Sequence, residues 1–133
     1  MSPELNKAKR RLLEGGFSFV LINRDKEYVS SLKGIAPIIS LLENSPELLK
    51  GACVADKVIG KAAALLLIYG GVKEIFTQVI SSHAITVLEN EKKIIDFEKQ
   101  VQYIVNRSGT GMCPMEKLVL EINDPLEGYR ALS

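Results

Sequence analysis

The stretch Gly51–Gly71, GACVADKVIGKAAALLLIYGG, decides the fold. It opens with Gly51 to Ala55, a run of small and apolar residues of the kind that a buried strand carries. Asp56 follows, and an aspartate just ahead of an apolar run is expected to cap a helix. Val58 to Tyr69 is apolar on nearly every side, which predicts a helix buried all round. It is shorter than the roughly 20 residues needed to cross a bilayer, so no membrane partner is expected. Gly70-Gly71 ends it.

Working toward the N-terminus, Ser2-Pro3-Glu4-Leu5 supplies a cap, a first-turn proline and an acidic residue, the start of a helix. Leu5, Ala8, Leu12 and Leu13 fall roughly on one face of it, and Gly15-Gly16 stops it. Phe17 to Ile22 and Glu27 to Ser31 read as strands joined by a turn at Asn23 to Lys26. Gly34 to Leu42 predicts a short helix entered near Pro37, and Ser45-Pro46-Glu47-Leu48 a second capping signal.

Toward the C-terminus, Lys73 to Ile80 reads as a strand, and Ser81 or Ser82 caps a helix through about Asn90. Ile94 to Phe97 is a strand, and Val101 to Val105 is another extended segment or its continuation. Asn106 to Gly111 is a polar, glycine-containing loop. Cys113-Pro114-Met115-Glu116 opens a helix to about Ile122, Asn123-Asp124-Pro125 breaks it, and a short tail follows. The expected fold is a three-layer α/β/α sandwich around a mixed five-stranded sheet, forming a single domain over residues 1–133.

Composition narrows the function classes. A hydrophobic fraction of 47% with 25% charged residues predicts a folded globule. The 17 Lys+Arg against 16 Asp+Glu, with only 6% aromatic residues, disfavour nucleic acid as a partner. Two cysteines make no disulfide framework, and the N-terminus shows no basic, apolar and cleavage pattern. A cytoplasmic location is therefore expected.

In α/β sheets ligands bind beyond the carboxyl ends of strands, at helix N-termini. Two junctions fit. At the first, Lys57 and Lys61 are four residues apart and are expected to share a face in the first turn of the central helix. Two cations at the positive end of a helix dipole cost a few tenths to about 1 kcal/mol. An anion should offset them, either Asp56 or a bound phosphate or carboxylate, and Gly60 leaves room for close approach. The plainer alternative has both lysines in water and Asp56 acting only as a cap.

At the second junction, Pro114 in a first turn puts Cys113 at the cap, where a thiol has a lowered pKa. Glu116 then stands at the capping-box position. Asn106, Thr110 and Gly111 in the preceding loop are candidates for holding an anion. A packed, structural Cys113 is the competing reading. His83 reads as a surface or cap-adjacent residue, and Cys53 as core.

Ala55 to Ala64 (ADKVIGKAAA) and Gly109 to Glu116 (GTGMCPME) together resemble the signature blocks of a small uncharacterised prokaryotic family, an outlying branch of the cytidine-deaminase-like fold. The resemblance spans nearly the whole chain and implies that fold. It does not carry the deaminase chemistry over. A zinc deaminase needs a His or Cys ligand with a Glu two positions on at its first helix, and Pro-Cys-x-x-Cys at its second. The first block here has Gly60 and Lys61, then Ala62 and Ala63. In the second, only Cys113 matches a ligand and Glu116 stands in place of the other cysteine. The usual three-ligand catalytic zinc site cannot be assembled from these blocks, so no metal and no cofactor are expected.

What the resemblance leaves is a pocket where Asp56, Lys57, Lys61, Cys113 and Glu116 converge at two facing helix N-termini. The expected function is binding of a small anion or nucleotide-like molecule. The alternatives are an enzyme that uses Cys113 as nucleophile with help from Lys61 or Asp56, and a purely structural or interaction domain. A homodimer is compatible with the fold by analogy only.

Overall fold

A computed structural model describes residues 2–133. Helix α1 (Pro3–Gly15) starts as expected: the Ser2 hydroxyl accepts the Leu5 N–H at 3.1 Å, and Gly16 ends the helix in the left-handed region at φ 73°. The hairpin follows as β1 (Phe19–Asn23) and β2 (Lys26–Ser30). Helix α2 (Ala36–Asn44) leads to a single 3-10 turn at Pro46–Leu48, then to β3 (Cys53–Ile59) and α3 (Lys61–Gly70). Strand β4 (Glu74–Ser81), helix α4 (Ser82–Asn90) and strand β5 (Ile94–Val101) complete the sheet. Two short helices close the chain, α5 (Pro114–Leu118) and α6 (Pro125–Leu132).

The architecture is mixed α/β, a five-stranded mixed sheet with six helices. The strand order is β2-β1-β3-β4-β5. β1 runs antiparallel to both β2 and β3, while β3, β4 and β5 are parallel. The register places Phe19 opposite Asp56 on one side and Thr77 beside Asp56 on the other.

Side-chain alternation along the strands builds two cores. Cys53, Ala55, Val20, Ile22 and Phe76 face α1 and meet its Leu5, Ala8 and Leu12. Val54 and Ile75 face the other layer, where they pack with Leu66 and Leu67 of α3, with apolar residues of α2 and α4, and with Ile59 and Ile80 near the strand ends. Helix α3 is therefore sandwiched, as its all-round apolar sequence requires: every residue from Lys61 to Leu67 is buried.

The structure corrects several expectations. The central strand does not end at Ala55; pairing continues through Asp56↔Thr77, Val58↔Val79 and Ile59↔Ile80. Asp56 is thus a strand residue and caps nothing, and α3 begins at Lys61 behind Gly60. The β-branched Val58 and Ile59 continue the parallel pairing with β4, opposite Val79 and Ile80, which outweighs the capping signal. Consequently Lys57 and Lys61 share no helical face: Lys57 is an exposed strand residue and Lys61 the buried first residue of α3. The helix at Cys113 stops at Leu118, short of Ile122, and the expected tail is helix α6, capped by the Asp124 carboxylate on the Glu127 N–H at 3.0 Å. The extended reading of Val101 to Val105 reduces to the end of β5 and one isolated bridge, Val105 to Met112.

Candidate functional site

The carboxyl end of β3 holds the predicted residues in two separate arrangements. The first is the N-terminus of α3. Glu116, from α5, sets its carboxylate on this helix end: Oε1 accepts the Lys61 N–H at 2.6 Å and Oε2 accepts the Ala62 N–H at 2.9 Å. A helix N-terminus leaves such N–H groups unpaired and carries partial positive charge, so a carboxylate satisfies both demands at once. The anion foreseen at this junction is therefore supplied by the chain itself. Gly60 makes the approach feasible, since a β-carbon there would lie 2.5 Å from the Glu116 carboxyl carbon.

Lys61 completes the clasp from the other direction. Its Nζ donates to the Leu120 carbonyl at 2.9 Å while Val119 packs into the apolar cluster of Ala62 and Leu65. The side chain is only 5% exposed, and burial lowers its pKa from the usual lysine range, an effect that Glu121 and Glu116 partly oppose. Lys61 and Glu116 thus hold the segment after β5 onto α3. Glu116 was also expected to close a capping box on its own helix; it caps a different helix, because there its two oxygens find two free amides.

The second arrangement is a cleft of about 330 Å³ lined by Gly16, Ser18, Ser31, Lys33, Gly34, Asp56, Lys57 and Val58. It opens where the start of β1, the end of β2 and the end of β3 meet, at the carboxyl end of the parallel strands. Asp56 is its buried member, 6% exposed. Burial pushes its carboxyl up to about 8, although the backbone N–H groups of Val58 and Lys57 pull the other way. The neighbouring Thr77 hydroxyl is already engaged, donating to the Val79 carbonyl at 3.0 Å. Ser18 likewise donates to the carbonyls of Ser30 and Leu32, fixing the wall. Gly34 sits at φ 60° in open space, a backbone shape that carries the chain from β2 round the cleft into α2.

Residues 7–133 match the family model TM1506, described as Domain of unknown function (DUF1893). The chain belongs to the DUF1893 family. A solved relative is the crystal structure of a DUF1893 family protein (TM1506) from Thermotoga maritima at 2.70 Å resolution. It is 28% identical, with a TM-score of 0.90, over 99% of this chain and 89% of that one. No curated protein matches this chain.

The other sequence candidates of this DUF1893 domain do not join either arrangement. Asn106, Ser108 and Thr110 satisfy one another: Asn106 Oδ1 accepts the Thr110 N–H at 3.0 Å and the Ser108 hydroxyl at 3.1 Å, and Asn106 Nδ2 donates to Thr110 Oγ1 at 3.2 Å. The Asn106 N–H closes the loop on the Gly111 carbonyl at 2.7 Å. These groups make a turn, not a cradle. Cys113 precedes α5 as expected, but its N–H donates to the Ile104 carbonyl, and among the described residues no hydrogen bond links it to Lys61 or Asp56. Among the described residues no group of three His, Cys, Asp or Glu side chains is placed to hold a metal ion, and no helix is long and apolar enough to cross a membrane.

Sequence reasoning missed Ser18, Ser31, Lys33 and Gly34. The signal was a Lys-Gly pair in the connection between a strand and a proline-entered helix. It also missed a larger cleft of about 700 Å³ at the opposite end of the sheet, walled by the β1–β2 turn and residues such as Lys50 and Lys73, with Cys53 among its lining.

Cys53 is 5% exposed, and burial raises its thiol pKa, partly countered by the Ser2 hydroxyl 3.7 Å away. Cys113 is half-buried. Labelling of the native domain with iodoacetamide near neutral pH is therefore expected to modify Cys113 and leave Cys53 intact until denaturant is added. Mass mapping of the alkylated peptides checks this, and equal labelling of the two would contradict it.

Proposed function

We propose that this DUF1893 domain binds a small anionic or nucleotide-like ligand, and that the site is the Asp56 cleft rather than the N-terminus of α3. One observation carries the proposal: a carboxyl group buried at the carboxyl end of a parallel strand, in a cleft whose other charged members are Lys33 and Lys57. Burying a carboxyl group without an ion-pair partner costs stability, and such groups concentrate at functional sites. The cleft matches the low end of small-molecule sites in volume. The lysines supply charge for an anion, and the uncharged carboxyl supplies one hydrogen-bond donor. In this proposal the scaffold is a deaminase-like one whose zinc chemistry is lost, since Gly60 and Lys61 offer neither ligand nor proton-shuttling carboxylate where that chemistry needs them.

The test is a thermal-shift and calorimetric screen with inorganic phosphate, a dicarboxylate and nucleoside 5′-monophosphates. At least one is expected to stabilise the wild type and to lose at least about tenfold in affinity in Lys33→Ala/Lys57→Ala, the scale of losing two charge-assisted contacts. Binding unchanged by that double substitution, or confined to a Glu116→Gln variant, would place the ligand elsewhere.

A further inference from the structure

The Asp56 cleft sets a stricter condition on its ligand than charge alone. The groups around Asp56 come from every neighbouring element. The segment before β1 contributes Ser18, β1 contributes Phe19, and β4 contributes Thr77. The connection after β2 contributes Ser31, Lys33 and Gly34, the end of α1 contributes Gly16, and β3 itself contributes Lys57. Only the two lysines among these carry charge, and neither makes an ion pair within the described residues. An anion entering the cleft thus meets two cations at the rim and one buried carboxyl group. If that carboxyl is ionised, the ligand faces a like charge in a poorly screened place. If it is protonated, its O–H becomes a charge-assisted donor to an oxyanion.

Building on the binding function proposed above, we propose that Asp56 is the specificity-determining residue of the cleft: it admits a small oxyanion by donating its carboxyl proton to one of the ligand's oxygens, and excludes the same ligand once that proton is lost. No bond is made or broken, and the proton stays on Asp56. The ligand class is an oxyanion, phosphate or carboxylate, with an acceptor oxygen reaching the cleft floor. With the Asp56 midpoint at about 8, the charged form dominates by pH 9.

The probe is a nucleoside 5′-monophosphate, whose phosphate is essentially fully ionised above pH 7. Calorimetry on the full chain is expected to show affinity falling about tenfold between pH 7 and pH 9, by linkage between ligand and proton. The Asp56→Asn variant, which keeps an amide donor, is expected to bind with little change over that range. An unfolded Asp56→Asn variant leaves a second measurement on the wild type: the Asp56 carboxyl carbon, followed by NMR, must titrate at higher pH with the probe than without it. Binding with flat pH dependence in the wild type, or a midpoint unmoved by bound probe, overturns the inference and leaves the cleft's binding role standing. Absence of binding of this probe at both pH values overturns the inference, and absence of binding of phosphate and the dicarboxylate as well overturns the binding role with it.

Discussion

Replacing Glu116 by alanine is expected to destabilise the protein by about 3 kcal/mol, a loss of roughly 10 °C in Tm. The carboxylate is 6% exposed and holds the first two N–H groups of α3. Its removal leaves both amides buried without partners and takes an anion away from a helix N-terminus. It also frees α5, whose remaining hold on α3 is Val119 and the Lys61 contact to Leu120. Glu116→Gln keeps one acceptor oxygen and is expected to cost about half as much.

The partner substitution makes the claim sharper. Gly60→Ala would thrust a β-carbon against the Glu116 carboxyl group. Gly60 itself has φ −98° and ψ −175°, extended backbone that alanine adopts freely. The cost of Gly60→Ala must therefore come from Glu116. We expect about 2 kcal/mol in the wild type and well under about 1 kcal/mol in the Glu116→Ala background. Urea unfolding of the four proteins measures the cycle. Additive costs would show that the two residues do not share a site.

The second large effect concerns Asp56, and its sign is opposite. Substituting asparagine is expected to stabilise the protein at pH 7, by a few kcal/mol or roughly 5–10 °C in Tm. The folded-state carboxyl titrates at about 8, against an ordinary value of 3.8. Between those values the folded chain keeps a proton that the unfolded chain has released. Stability therefore falls as pH rises from about 4 to 8 and levels off above 8. At pH 7 most of this penalty is already present, and asparagine, which carries no charge, escapes it. Thermal unfolding between pH 4 and 9 tests this. The wild type should show the downward slope once other groups are common to both proteins, and Asp56→Asn should lack that part of it. Parallel pH profiles for the two proteins would mean that the Asp56 carboxyl is solvated and plays no such role.

These two carboxylates show how legible the site was. Glu116 could be assigned to a helix N-terminus from the Pro114-Met115-Glu116 spacing, because capping is a local interaction and leaves a local signature. Which helix it caps was not legible, since Glu116 and Lys61 are 55 residues apart in the chain. Asp56 was legible as a special residue, an acid ahead of a buried helix, yet the inference drawn from it was wrong. Val58 and Ile59 after it can continue a strand or begin a helix, and only the pairing with β4 resolves the choice. Asn106 and Thr110 stand out in the sequence only as candidates for holding an anion, because a Gly-x-Gly pair alone is weak evidence of such a site; in the fold their polar groups turn inward on each other.

The sequence by itself determined the order of the elements as far as α5, the burial of α3 and the hairpin that makes the sheet mixed. Each follows from periodicity, turn residues and caps, interactions that span a few positions along the chain. Tertiary structure alone decided where β3 ends, which amides Glu116 satisfies and that Asp56 lies buried in a cleft. Those outcomes depend on competition among groups distant in sequence for the same hydrogen bonds and the same space, and that competition is settled only when the chain is packed.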